Sequence, residues 1–129
     1  MARYVAFDLE THLSSIGYKI PKPVCSGFYF PETKERKLLL WEDAMVVLEE
    51  IILDPETHLV NQYIVYDLMV VAAYHPRVRA AIYQAFREGR VHCTMVKEML
   101  RDVRNGRRPK PMGLEYLYDK YTGKQVFGK

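Results

Sequence analysis

Two acids one residue apart follow four apolar residues near the start of the chain, in Tyr4-Val5-Ala6-Phe7-Asp8-Leu9-Glu10-Thr11. A short apolar run of this kind predicts a buried central strand. Side chains alternate faces along a strand, so Asp8 and Glu10 point the same way at its carboxyl end. Two neighbouring carboxylates repel unless something neutralises them. Divalent cations do this commonly, and Mg²⁺ takes carboxylate oxygens and water. The second Asp-x-Glu, Asp54-Pro55-Glu56, contains a proline after a helix-like segment and reads as a turn.

The elements that must position these acids come in a simple order. Thr11 to Gly17 reads as a loop. Val24 to Phe30 and Lys37 to Trp41 read as two strands of a hairpin, with Trp41 at the core or its edge. Glu42-Asp43 opens a helix with acids where the dipole favours them, and Ala44, Val47, Leu48, Ile51 and Ile52 have helical spacing. Asp54-Pro55 stops that helix. His58-Leu59-Val60 is a short strand, and Ile64 to Tyr74 a helix with Asp67 in its first turn. Pro76 breaks it, and a further helix runs to about Arg87. Arg90-Val91-His92 is a strand. Thr94 is expected to cap a helix ending near Arg104, and Gly113 to Lys120 is a last short helix before a tail. Strands first, then alternating helices and strands, predict an α/β domain with a mixed sheet. Ligands of such sheets gather at the carboxyl ends of strands, where Asp8 and Glu10 lie.

The chain has 129 residues, the size of one domain. No apolar stretch is long enough for a membrane span, and the first residues lack a signal pattern. Cys25 and Cys93 form no CxxC pair, which suits reduced thiols and argues against structural zinc. These features predict a cytoplasmic protein. The net charge is +3, unevenly spread. Residues 1–86 carry 8 Lys and Arg against 11 Asp and Glu, whereas residues 87–129 carry 11 against 5. The basic final third predicts an acidic partner, nucleic acid first. Lys97, Arg101 and Arg104 share one helix face, and Arg107, Arg108 and Lys110 lie beyond them in a proline-containing linker. His12, His58, His75 and His92 fall on separate elements and receive no role.

With these elements in place, Phe7-Asp8-Leu9-Glu10-Thr11 resembles the first motif of the DEDD 3′–5′ exonucleases. Val60 to Ala73, with Tyr66-Asp67-Leu68, resembles their second motif, an aromatic residue followed by Asp at a helix start. Arg90 to Val103, then Gly113-Leu114, is similar to the segment after the second motif in the proofreading domains of family A DNA polymerases, phage types especially. The resemblance implies a ribonuclease-H-like mixed sheet with flanking helices, one domain over residues 1–129. It implies Mg²⁺ or Mn²⁺, two ions in the family, bound by Asp8, Glu10 and Asp67 as catalytic residues. It also implies the 3′ end of single-stranded DNA as substrate, met by Thr11 and Leu13, with Arg107 and Arg108 on phosphates. A polymerase domain of the same or another chain is the implied partner, in a bacterial or phage-infected cell.

Three departures accompany the resemblance. The family's Asn, four or five residues before the second-motif Asp, falls here on Gln62 or Tyr63, with Asn61 one position early. Cys93 stands where relatives often have Asp. The third motif, Tyr-x-x-x-Asp or His-x-x-x-Asp, has no counterpart: the last acid is Asp119, with Glu115 four before it and Tyr116 out of register. The chain therefore reads as a fragment of a longer protein, or a short relative, lacking the fourth carboxylate. The competing readings are a non-catalytic nucleic-acid-binding or interaction module, and another ribonuclease-H-like nuclease.

Overall fold

A computed structural model describes residues 2–12, 20–110 and 113–125. Five strands, β1 (Arg3–Thr11), β2 (Pro23–Phe30), β3 (Glu35–Leu40), β4 (Thr57–Asn61) and β5 (Val91–Cys93), form one sheet in the order β3-β2-β1-β4-β5. β1, β2 and β3 are joined antiparallel, and β4 and β5 add parallel to β1. This is the predicted α/β mixed sheet, and its order is compatible with a ribonuclease-H-like fold. The helices are α1 (Trp41–Leu53), α2 (Ile64–Tyr74), α3 (Arg79–Arg87), α4 (Thr94–Arg104) and α5 (Leu114–Thr122). Among the described residues, no helix is long and apolar enough to cross a membrane.

The core lies on one face of the sheet. Val5, Phe7 and Leu9 of β1, Phe28 of β2 and Leu59 of β4 meet Ala44, Leu48, Ile51 and Ile52 of α1. Ile64, Leu68 and Val71 of α2 and Ile82 of α3 complete it. Each fully buried Leu or Ile there contributes roughly 1.5–3 kcal/mol relative to exposure. The alternation that buries Val5, Phe7 and Leu9 sends Tyr4, Ala6, Asp8 and Glu10 to the opposite face. Strand register puts Cys25, Gly27, Tyr29, Leu38 and Leu40 on that second face, beside His58, Val60 and His92. It is largely open: Leu38 and Leu40 are 77% and 70% exposed.

Several boundaries differ from the sequence reading. Trp41 begins α1 rather than ending β3, and still packs against the core. Thr94 does not cap α4; Cys93 occupies that position. The Thr94 hydroxyl instead donates to the Gln62 side chain, which draws it across to the turn after β4. Tyr121 and Thr122 belong to α5 rather than to a tail, because Gly123 adopts φ 69° and closes the helix with its N–H on the Asp119 carbonyl.

Candidate active site

β1 outruns its neighbour. Its pairing with β4 ends at Ala6, opposite Val60, while its pairing with β2 continues to Thr11. The backbone of Phe7 to Thr11 is thus open on the side where β4 has stopped. An exposed strand edge must find other partners for its polar groups. Here Asp67 provides one: Leu9 N–H donates to Asp67 Oδ2 at 3.0 Å. Leu9 sits between Asp8 and Glu10, so this bond fixes the third acid against the pair predicted from sequence.

Asp67 is brought there by the turn between β4 and α2. Asn61 ends β4, and Tyr63 takes a left-handed conformation, φ 56° and ψ 52°, directly before α2. The reversal is tight enough for Asn61 Nδ2 to donate to the same Asp67 Oδ2 at 2.6 Å. Asn61 therefore serves Asp67 despite lying one position earlier than the family spacing. Asp67 is 6% exposed, whereas Asp8 and Glu10 are exposed at the rim.

The three carboxylates act on one another. Partial burial raises the Asp8 pKa above 3.8, and the charges of Asp67 and Glu10 raise it further. Burial also raises Asp67, the bonds from Asn61 and Leu9 oppose this, and Glu10 adds to it. Among the described residues, no Lys, Arg or His forms an ion pair with any of the three. Their all-oxygen donor set suits a hard divalent cation. Yet among the described residues no group of three or more His, Cys, Asp or Glu converges closely enough to hold a metal ion. Asp67 Oδ2 already accepts two hydrogen bonds. The donor chemistry is thus that of a hard-cation site, but the three carboxylates do not converge into one.

Asp8 also borders a groove of about 490 Å³ on the open sheet face, lined by Ala6, Gly27, Tyr29, Val60 and Thr94 among others. Leu114, the first residue of α5, closes one side. Thr11 ends β1, half-buried, directly beyond Glu10. Leu13 lies outside the described residues. Arg107 and Arg108 are exposed just beyond the end of α4, whose 11 residues span about 16 Å from Thr94 at the groove.

Two further features were not predicted from the sequence. α5 meets the groove through its first residue, Leu114, which precedes Glu115. That packing runs through Glu98 of α4, which accepts hydrogen bonds from Lys120 and Tyr121. The separate histidine elements also converge, since β4 and β5 run side by side and set His58 against His92. Two short apolar strands, each carrying a histidine, were the only signal of it in the sequence.

No family model, no curated protein and no solved structure matches this chain.

Proposed function

We propose that this chain is a ribonuclease-H-like domain of the DEDD 3′–5′ exonuclease type, acting on the 3′ end of single-stranded DNA. The observation that carries the reading is the Leu9–Asp67 bond, which ties the second-motif acid between the two acids of the first. Hydrolysis would release nucleoside monophosphates. In this reading Asp8, Glu10 and Asp67 would hold Mg²⁺ or Mn²⁺. A divalent ion bound there supplies charge stabilisation and a water of lowered pKa. The protein's own contribution is position: β1 fixes two carboxylates on one face, Asn61 and Leu9 orient the third, and the groove beside Asp8 offers an apolar bed for a terminal base. Thr11, directly beyond Glu10, would meet the terminal nucleotide. A polymerase domain, of the same or another chain, is the partner this reading implies, and the cytoplasm of a bacterial or phage-infected cell its location.

A second reading is a non-catalytic nucleic-acid-binding module on the same scaffold. One experiment separates the two. Melting curves with and without Mn²⁺ are recorded for the wild type and Asp8→Ala, beside digestion of an end-labelled single strand. The exonuclease reading expects a Mn²⁺-dependent rise in Tm through linkage, lost in Asp8→Ala, and slow Asp8-dependent shortening from the 3′ end. The same melting response in both proteins, or none, removes the metal site. A metal response without any shortening supports the binding module.

A further inference from the structure

The open sheet face carries, beside the acids, a cluster of the opposite character. His58 Nδ1 lies 2.7 Å from His92 Nε2. Lys97 Nζ, in the first turns of α4, lies 2.6 Å from His92 Nδ1. The Tyr4 ring sits against both imidazoles, with centroids 4.9 Å and 5.7 Å away. Among the described residues, no carboxylate forms an ion pair with His58, His92 or Lys97.

The protons in this chain of contacts are fixed by valence. A lysine ammonium only donates, so His92 Nδ1 accepts from Lys97. The remaining proton of His92 is then on Nε2 and is donated to His58 Nδ1. His58 in turn keeps its proton on Nε2, at the outer end. Every donor points the same way, from Lys97 outward. A proton added to either imidazole turns both of its nitrogens into donors, so one of the two contacts must open. Burial, then Lys97 and His58, hold the His92 pKa below 6.5. The other titratable group in contact with the pair is Tyr4 from β1. Protonation therefore adds a second positive charge beside Lys97 and frees a donor from its contact. An anion supplies both the charge and the acceptors.

We propose that Tyr4, His58, His92 and Lys97 form a phosphate-binding subsite on the open face of the sheet, occupied by a backbone phosphate of the single strand whose 3′ end lies at Asp8 and Glu10. The anion site rests on the cluster alone; its assignment to nucleic acid rests on the function proposed above. Tyr4 and Asp8 are four residues apart on β1, about 13 Å along the strand. Ala6 and Val60, which line the apolar groove, lie between them. A strand crossing the groove thus meets acids at one end and this basic cluster at the other. The phosphate contacts are three separate donors, His58, His92 and Lys97, with the Tyr4 ring beside them.

The test uses the whole chain in EDTA, so that no metal or turnover contributes. The Cε1–H resonances of the four histidines are followed by NMR from pH 8 to pH 5, with and without inorganic phosphate. The expected result is a saturable shift of the His58 and His92 resonances, with an upward move of the His92 midpoint, while the His12 and His75 resonances stay as internal controls. Lys97→Gln, at an exposed position that leaves the core intact, should weaken phosphate binding at least threefold. A labelled oligothymidylate should displace the phosphate. Its affinity should rise as pH falls from 8 to 6, by at most about tenfold per unit for one proton taken up. Its salt slope should drop by about 0.7 in Lys97→Gln. Unmoved His58 and His92, or shifts equal to those of the controls, would overturn the anion site. Phosphate binding that the oligonucleotide does not compete with would overturn the nucleic-acid assignment, whatever the melting and digestion experiments show for Asp8.

Discussion

Asp67 is bonded to Leu9 across 58 positions of sequence, through the one backbone N–H that lies between Asp8 and Glu10. The same carboxylate oxygen also accepts from Asn61. Asp67 is therefore a structural residue before it is anything else, and its substitution should separate the two roles. Asp67→Ala leaves two buried donors unpaired, each costing about 1–3 kcal/mol. Asp67→Asn keeps one carbonyl oxygen that can accept from both, since both bond the same Oδ2, and should lose clearly less. Urea denaturation of the two variants checks this. Equal losses would mean that the donors find water instead.

The path of the chain to that bond was only partly legible. The helix over residues 64–74 and its first-turn acid are clear from spacing, and the predicted span matches the observed one. The turn before it is not, because it depends on Tyr63 at φ 56°. Glycine and asparagine advertise that conformation, and tyrosine does not. The same turn explains why the Asn61 spacing looked like a departure. A left-handed residue shortens the path enough for the earlier position to reach. Cys93 and Thr94 were legible as a strand end and helix start, but the pull of Gln62 on the Thr94 hydroxyl depends on a distant turn. Arg107 and Arg108 were named from charge, and they lie just beyond the carboxyl end of α4, whose amino end meets the groove.

The Tyr63 backbone gives a second prediction. Left-handed geometry costs a residue with a Cβ about 1–2 kcal/mol, and β-branching worsens it. Tyr63 is more than half exposed, and its ring stacks on Tyr66 at 6.5 Å. Tyr63→Gly should thus be neutral or stabilising by up to about 1 kcal/mol, because it removes strain at small loss of packing. Tyr63→Val should destabilise by more than about 1 kcal/mol. Thermal melts of the pair test this, and a more stable valine variant would contradict the geometry.

Asp8 provides a test in the opposite direction, through pH. Both Asp8 and Asp67 have pKa values raised above 3.8, by burial first and then by the neighbouring carboxylates. A carboxyl whose folded pKa is raised favours folding fully below its unfolded pKa, and that contribution is lost as pH rises through the folded value. At neutral pH without metal the acids therefore work against the fold. Asp8→Asn removes one of them, and because Asp8 is exposed the gain should stay below about 1 kcal/mol. The expected result is a higher Tm than wild type at pH 7 in EDTA, with the difference shrinking as pH falls through the raised folded pKa and gone below about 3.8. Saturating Mn²⁺ should reverse the order, since only the wild type keeps both rim carboxylates. A lower Tm for Asp8→Asn in EDTA at pH 7 would show that Asp8 has a stabilising partner.

Under the proposed exonuclease reading, a fourth acid would have to come from another part of the chain. Two acids lie on α5, Glu115 and Asp119, about one helical turn apart. They are not equivalent, because α5 meets the groove at its amino end. Leu114 lines the groove that Asp8 borders, and Glu115 is the next residue. Asp119 lies a turn further along the helix, and its carbonyl closes the C-terminal cap with Gly123. Any 3′ shortening of a labelled single strand should therefore respond to Glu115→Gln, by about tenfold or more, equivalent to about 1.4 kcal/mol of transition-state stabilisation. Asp119→Asn should change the rate less than about threefold, or about 0.65 kcal/mol. Melting curves of both variants exclude unfolding as the cause, and α5 keeps its Glu98–Lys120 anchor in each. Equal rates for wild type and Glu115→Gln would show that Asp8, Glu10 and Asp67 act without a fourth acid. A larger loss in Asp119→Asn would mean that α5 presents its other end to the substrate.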